Sequence, residues 1–224
     1  MRERIGLFGG TFDPVHSGHL RAADEVLRAF ALDRVLFIPS FIPPHKERKG
    51  IAPARDRLEM VELACREEPK FAASSIEVDA EEKSYSIITI GKIERLYPGA
   101  WIFFILGVDA FLEIGTWREH ERLLKECMFV VMARPGYGFE DARRIVGADA
   151  GNLVHEIPAG GTVDARLFGN CRVFFLTIQA LDISSTEVRS RVKTGRPLKG
   201  LVPASVEEYI RARHLYLGTS RTNG

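Results

Sequence analysis

The stretch "GLFGGTFDPVHSGHL", residues 6–20, decides how this chain is read. An apolar run ends in two adjacent glycines, Gly9 and Gly10, whose bare backbone lets a ligand come close. Leu20, Ala23, Val26, Leu27 and Phe30 then recur at helical spacing. The segment is therefore a strand, a turn and a helix whose mouth lies near Ser17 and Gly18. Open first-turn amides and the positive end of the helix dipole make such a mouth a phosphate site. Neither the G-x-x-x-x-G-K-S/T loop nor G-x-G-x-x-G is present. His16 and His19 stand where a P-loop has its lysine, and each imidazole can donate to a phosphate oxygen.

Outward from that stretch, apolar runs and amphipathic segments alternate. "RIGLF" (4–8), "RVLFIP" (34–39), "WIFFILG" (101–107), "MFVVMARP" (128–135) and "VFFLTI" (173–178) read as buried strands, and "SSIEVD" (74–79) as a further one. Residues 54–68 form an amphipathic helix with Leu58, Val61 and Cys65 on one face, and residues 84–96 a helix with a serine cap. A short helix with a loop-like tail lies within 136–152, and two more follow near 185–193 and 204–213. Such alternation implies right-handed βαβ units and a parallel sheet. The expected fold is α/β: a Rossmann-like parallel sheet flanked by helices, with a small C-terminal helical subdomain. Residues 1–182 form the core, 183–217 the subdomain, built onto it as one structural unit, and 218–224 a disordered tail. Ligands of such sheets bind beyond the carboxyl ends of the strands. The glycine turn, "PSFIPPHK" (39–46) and "GVD" (107–109) all fall at that end.

Lys and Arg number 31 against 30 Asp and Glu, a net charge of +1, so no charge excess draws duplex DNA or an anionic membrane. Any polyanion site must be local. Cys65, Cys127 and Cys171 are far apart, odd in number and set among apolar residues. That pattern fits neither a disulfide framework nor zinc, and points to buried free thiols in a reducing compartment. No apolar run is long enough for a signal peptide or a membrane span, so a cytoplasmic protein is expected.

A second block, "ISSTEVR" (183–189), puts Ser184, Ser185 and Thr186 at a helix start, where caps and open amides hold phosphate. Arg189 follows on the first turns as a fixed cation. Lys46, after a strand end and "PP", is a further candidate phosphate ligand.

These residues carry a resemblance. "GGTFDPVHSGH" (9–19) is similar to the signature of the nucleotidyltransferase superfamily, whose H-x-G-H core is here His16, Ser17, Gly18 and His19. "ISSTEVR" resembles the I-S-S-T-x-x-R motif of the same group. "IPSFIPPHK" (38–46), "SYS" (84–86), "FILGVDAFLEIGTW" (104–117), "ARPGY" (133–137) and "LVPASVEEYI" (201–210) resemble bacterial nicotinate-nucleotide adenylyltransferases. The likeness covers nearly the whole chain. Pantetheine-phosphate adenylyltransferases are similar only in the two nucleotide motifs, are shorter, and usually have threonine where His16 stands. Residues 139–172 depart most from the pattern and supply no site residue.

The resemblance implies transfer of AMP from ATP to nicotinate mononucleotide. The products are nicotinate adenine dinucleotide and pyrophosphate, on the route to NAD, with Mg²⁺ accompanying ATP and few protein ligands to the metal. It implies catalytic roles for His16, His19, Lys46 and Arg189. Gly9, Gly10, Thr11, Phe12, Gly18, Gly107, Asp109, Ile183, Ser184, Ser185 and Thr186 complete the implied ATP site. Lys46, Ser84, Tyr85, Ser86, Asp109, Thr116, Trp117 and Arg134 form the implied mononucleotide site. In it, Trp117 lies under the pyridine ring, and donors near Ser86 and Trp117 face the ring's substituent. His45, His120, His155 and His214 are read as surface or structural. Transfer to phosphopantetheine, cytidylyl transfer to a sugar or lipid head phosphate, and a non-catalytic nucleotide-binding module stand as alternatives. The expected partners are small molecules rather than nucleic acid or membrane, with homo-oligomer formation left open.

Overall fold

The computed structural model describes residues 2–42, 50–133, 138–146, 153–179 and 181–217. The chain begins β1 (Arg4–Gly10), α1 (Ser17–Ala29), β2 (Arg34–Pro39), α2 (Ala54–Cys65) and β3 (Phe71–Ala73). It continues with α3 (Ser86–Leu96), β4 (Trp101–Gly107), α4 (Val108–Leu112), α5 (His120–Glu126) and β5 (Met128–Ala133). Then come α6 (Glu140–Val146), β6 (Val154–Ile157), β7 (Val173–Thr177), α7 (Ser185–Lys193) and α8 (Ala204–Ala212).

The strands pair in one seven-stranded sheet of order β3-β2-β1-β4-β5-β7-β6, and every pairing is parallel. From β1 the chain winds outward to β3, then returns to β4 and winds the other way. Loops leaving β1 and β4 part at that switch and open a crevice beyond the strands' carboxyl ends. Gly10 pairs with Pro39 on one side of β1, and Phe8 with Ile105 of β4 on the other. The glycines at the ends of β1 and β4 therefore edge the crevice.

Continuous apolar strands demand cover on both faces, and two clusters provide it. On one face Val26, Phe30, Met60 and Val61 from α1 and α2 join Val188, Val206 and Ile210 from α7 and α8. On the other, Ile87, Ile90 and Ile93 of α3 pack with Phe104, Phe111, Leu123 and Phe175. The C-terminal helices thus share the core of the sheet. Among the described residues no helix is long and apolar enough to cross a membrane.

Three expectations are corrected. Residues 74–79 are not a strand; the third strand is the shorter run Phe71–Ala73, and 76–81 form turns closed by Asp79 N–H to Ser75 O at 2.7 Å. Ile76 and Val78 alternate as in a strand, but between them Glu77 turns toward the ligand crevice. The serine cap predicted for α3 is absent: Tyr85 is its N-cap, without a side-chain bond, and the Ser84 hydroxyl accepts from Phe41 N–H at 3.0 Å instead. Strand β6 is unpredicted, because its central His155 and Glu156 are exposed at the sheet edge and leave little apolar signal. The helix at 54–68 ends at Cys65. The tail expected to be disordered lies outside the described residues.

Candidate active site

The two histidines form a closed pair at the mouth of α1. His16 is the N-cap, and its Nδ1 accepts the His19 amide at 3.3 Å. In return His19 Nδ1 accepts the His16 amide at 3.2 Å. Backbone N–H groups only donate, so both Nδ1 atoms must be acceptors. A neutral imidazole then carries its proton on Nε2. The rings stack 3.6 Å apart, and the His19 ring is walled by Phe12 at 5.0 Å. Burial, and next the neighbouring His16, hold the His19 pKa well below the usual 6.5. Both causes favour a neutral His19, and the capping geometry leaves Nε2 of each ring as the outward donor. A side chain at Gly18 would place its Cβ 3.0 Å from His16 Nδ1, so anything larger than glycine there would press the His16 ring out of its place.

A second helix mouth converges on the same loop. Ser184 caps α7, its hydroxyl accepting from Glu187 N–H at 3.1 Å. Ser185 Oγ donates to the Pro14 carbonyl at 2.9 Å. Arg189 Nη1 donates to the Asp13 carbonyl at 2.7 Å, and Arg189 Nη2 bonds Thr186 Oγ1 at 3.2 Å. The Ser17 amide of α1 is held by the Leu201 carbonyl at 2.8 Å. Both positive dipole ends, and one partly exposed guanidinium, therefore face the loop between β1 and α1.

Behind this loop lies a residue the motifs do not flag. Arg57, on α2, is 1% exposed. It donates to the carbonyls of Ala52 (3.0 Å), Thr11 (2.6 Å), Ser40 (2.7 Å) and Phe41 (3.2 Å). One planar fork thus pins the ends of β1 and β2 to the start of α2. Its signal was in the sequence: Arg57 sits four before Val61 on the apolar face.

Beside the loop a cavity of about 370 Å³ opens between the ends of β1, β2 and β4. Its walls include Gly9, Gly10, Thr11, Ser84, Tyr85, Ser86, Gly107, Thr116 and Trp117. Phe104, Ser40, Glu77 and Arg118, none of them among the expected site residues, line it as well. Trp117 stands edge-on to Phe104 with centroids 6.0 Å apart. Its amide is taken by the Ile114 carbonyl at 2.9 Å, and the Thr116 hydroxyl by the Glu113 carbonyl at 2.8 Å. Donors on its wall include the uncapped first turn of α3 at Ser86 and the Arg118 guanidinium, which lies 5.1 Å from the Tyr85 ring centre and 3.5 Å from Glu119. Glu77 accepts from Thr89 Oγ1 at 2.6 Å, and burial raises its pKa. Ser40 Oγ is buried with no hydrogen-bond partner among the described residues, an orphan on a cavity wall.

Phe12 is buried with a φ of 47°, its ring packed on Phe8 and Phe37 rather than turned to the crevice. Asp109 is exposed in the first turn of α4 and does not cap it; the N-cap is Gly107. Ile183 is half-buried against the core face of α1 and α7. Lys46 and Arg134 lie outside the described residues. All three cysteines are free and buried, and burial pushes Cys65 up to about 12, so no reactive thiol serves the site. No group of three or more His, Cys, Asp or Glu among the described residues is placed to hold a metal.

The cytidylyltransferase-like family model matches residues 7–191. A "Probable nicotinate-nucleotide adenylyltransferase" of Desulfatibacillum aliphaticivorans is 43% identical over 218 residues, covering 96% of this chain and all of that one. One of the same name from Geobacter sulfurreducens is 41% identical, with 95% and 98% covered. The Plasmodium falciparum nicotinic acid mononucleotide adenylyltransferase complexed with NaAD superposes with a TM-score of 0.69 at 17% identity, covering 96% of this chain and 98% of that one, a likeness of fold. The chain belongs to the cytidylyltransferase-like family and, within it, to the nicotinate-nucleotide adenylyltransferases.

Proposed function

We propose that the chain transfers the adenylyl group of ATP to nicotinate mononucleotide, releasing pyrophosphate. The observation that carries this reading is the convergence of the α1 and α7 mouths on one loop, beside an aromatic-walled cavity of mononucleotide size. A phosphate oxygen of the mononucleotide attacks the α-phosphorus, the bond to the β-phosphate breaks, and pyrophosphate leaves. That nucleophile is already an anion and needs no general base. Catalysis is therefore positioning plus stabilisation of developing charge.

In this reading His16 and His19 donate from Nε2 to α- and β-phosphate oxygens. Gly9, Gly10 and Thr11 line the passage of the nucleotide. Amides at Ser185 and Thr186, with Arg189, hold the outer phosphates. Amides, hydroxyls and a guanidinium are donors suited to phosphate rather than to a cation. Mg²⁺ accordingly enters with ATP as part of the substrate. Lys46 and Arg134 add positive charge for the attacking phosphate. The pyridine ring lies against Trp117.

The decisive experiment measures pyrophosphate release with ATP-Mg and each of several acceptor phosphates. Nicotinate mononucleotide is expected to give the highest kcat/KM. Phosphopantetheine as the preferred acceptor, or CTP as the preferred donor, would overturn the reading.

A pH profile tests the protonation state. If the rings act neutral, kcat holds or rises from pH 6 to 8, because His19 loses its proton below the ordinary imidazole pKa of about 6.5. The acceptor phosphate also becomes a dianion above about pH 6. A rate that falls with a midpoint near 6.5 would mean that an imidazolium is required.

A further inference from the structure

The end of the chain folds back onto the phosphate loop. After α8, His214 and Tyr216 take positive φ values of 52° and 62°, a region that residues other than glycine seldom occupy. The Leu215 amide meets the Ile210 carbonyl at 3.0 Å, and Leu215 and Tyr216 pack against the core. This turn brings the Tyr216 hydroxyl to Asp13 Oδ1, to which it donates at 2.8 Å. The same oxygen accepts the Ala52 amide at 3.0 Å. Asp13 Oδ2 lies 3.6 Å from Arg189 Nη1, the atom that also donates to the Asp13 carbonyl. Asp13 is only 5% exposed. Arg189 is therefore held twice by one buried residue, and Tyr216 fixes that residue's carboxylate. Burial, with the charge of Asp13, raises the Tyr216 pKa far above its ordinary value and keeps the phenol a donor.

We propose that Tyr216 is a positioning residue whose hydroxyl, acting through Asp13, sets the Arg189 guanidinium for the outer phosphates of the nucleotide. The proposal rests on the reading that Arg189 binds those phosphates. An arginine aligned before the ligand arrives loses less freedom on binding. Without the phenol, Asp13 Oδ1 keeps a single amide partner and the carboxylate is freer to turn, which loosens its 3.6 Å contact with Arg189 and leaves the guanidinium on the Asp13 carbonyl alone.

The test is calorimetric binding of a non-hydrolysable ATP analogue with Mg²⁺, and separately of nicotinate mononucleotide. Tyr216→Phe should weaken the analogue about fivefold, the scale of one hydrogen bond, and change the mononucleotide by less than about twofold. In an Arg189→Lys background the same substitution should cost under about twofold, because the partner it serves is gone. Tyr209→Phe is the control: it loses a phenol–carboxylate bond of the same 2.8 Å length, to Asp56, and should leave analogue affinity intact. Asp13→Asn, which keeps the shape and drops the charge, should weaken the analogue selectively as well. Unchanged analogue affinity in Tyr216→Phe, a fivefold loss that persists beside Arg189→Lys, or an equal loss in Tyr209→Phe would each overturn the proposal. If Arg189→Lys alone binds the analogue normally, the assignment of Arg189 fails, and the Tyr216 proposal with it.

Discussion

Replacing His19 with alanine is expected to lower kcat about 10²–10³-fold, the scale of one lost oxyanion donor. The KM values should change far less, because charge on the bridging and α-phosphate oxygens grows mainly in the transition state. Alanine also removes the acceptor of the His16 amide, half of the reciprocal cap. That loss alone costs about 1 kcal/mol of stability and confuses the reading of the variant. His19→Asn separates the two effects. Its side-chain oxygen reaches where Nδ1 stands and keeps the cap, but nothing reaches where Nε2 stands. The asparagine variant should melt close to wild type and be as slow as alanine. A near-normal kcat with a strongly raised KM, in either variant, would make His19 a ground-state ligand only.

The acid, nicotinate mononucleotide, should be preferred over its amide by about 10²-fold or more in kcat/KM. A carboxylate only accepts hydrogen bonds, whereas an amide of the same shape presents one acceptor and one NH₂. The cavity wall that carries Trp117 also offers donors, the uncapped first turn of α3 at Ser86 and the Arg118 guanidinium near the Tyr85 ring. A first-turn amide of α3 would face the NH₂ unpaired. A buried unmade bond costs about 1–3 kcal/mol, and more where a charge was involved. Equal kcat/KM for the two mononucleotides at saturating ATP-Mg would sink the pocket assignment while leaving adenylyl transfer intact. Trp117→Ala should weaken both substrates alike, since stacking ignores the substituent.

The sheet was legible because continuous apolar strands and a 3.6-residue period are strong local signals. Both helix mouths could also be read, from Gly18 between the histidines and from the Ser184 cap. What escaped lies in pairings between residues distant in sequence. The bond from Tyr216 to Asp13 spans nearly the whole chain, and the carbonyls that Arg57 binds give no side-chain signature. Residues 74–79 were misread because alternation of Ile76 and Val78 imitates a strand, whereas turns there place Glu77 on the cavity wall. The short edge strand β6 was silent for the opposite reason, its exposed centre showing too little alternation.

Arg57 has a consequence for how the site feels dissolved salt. Its guanidinium is sealed from solvent, and Asp13 offsets only one of the two cations Arg57 and Arg189. Counterions at physiological strength screen exposed charges beyond about 8 Å, but they screen a charge enclosed by protein much less. Part of the field that attracts the triphosphate therefore persists as ionic strength climbs. The expected result is a nucleotide affinity that falls less steeply with added salt than it would if every cation of the site stood on the surface.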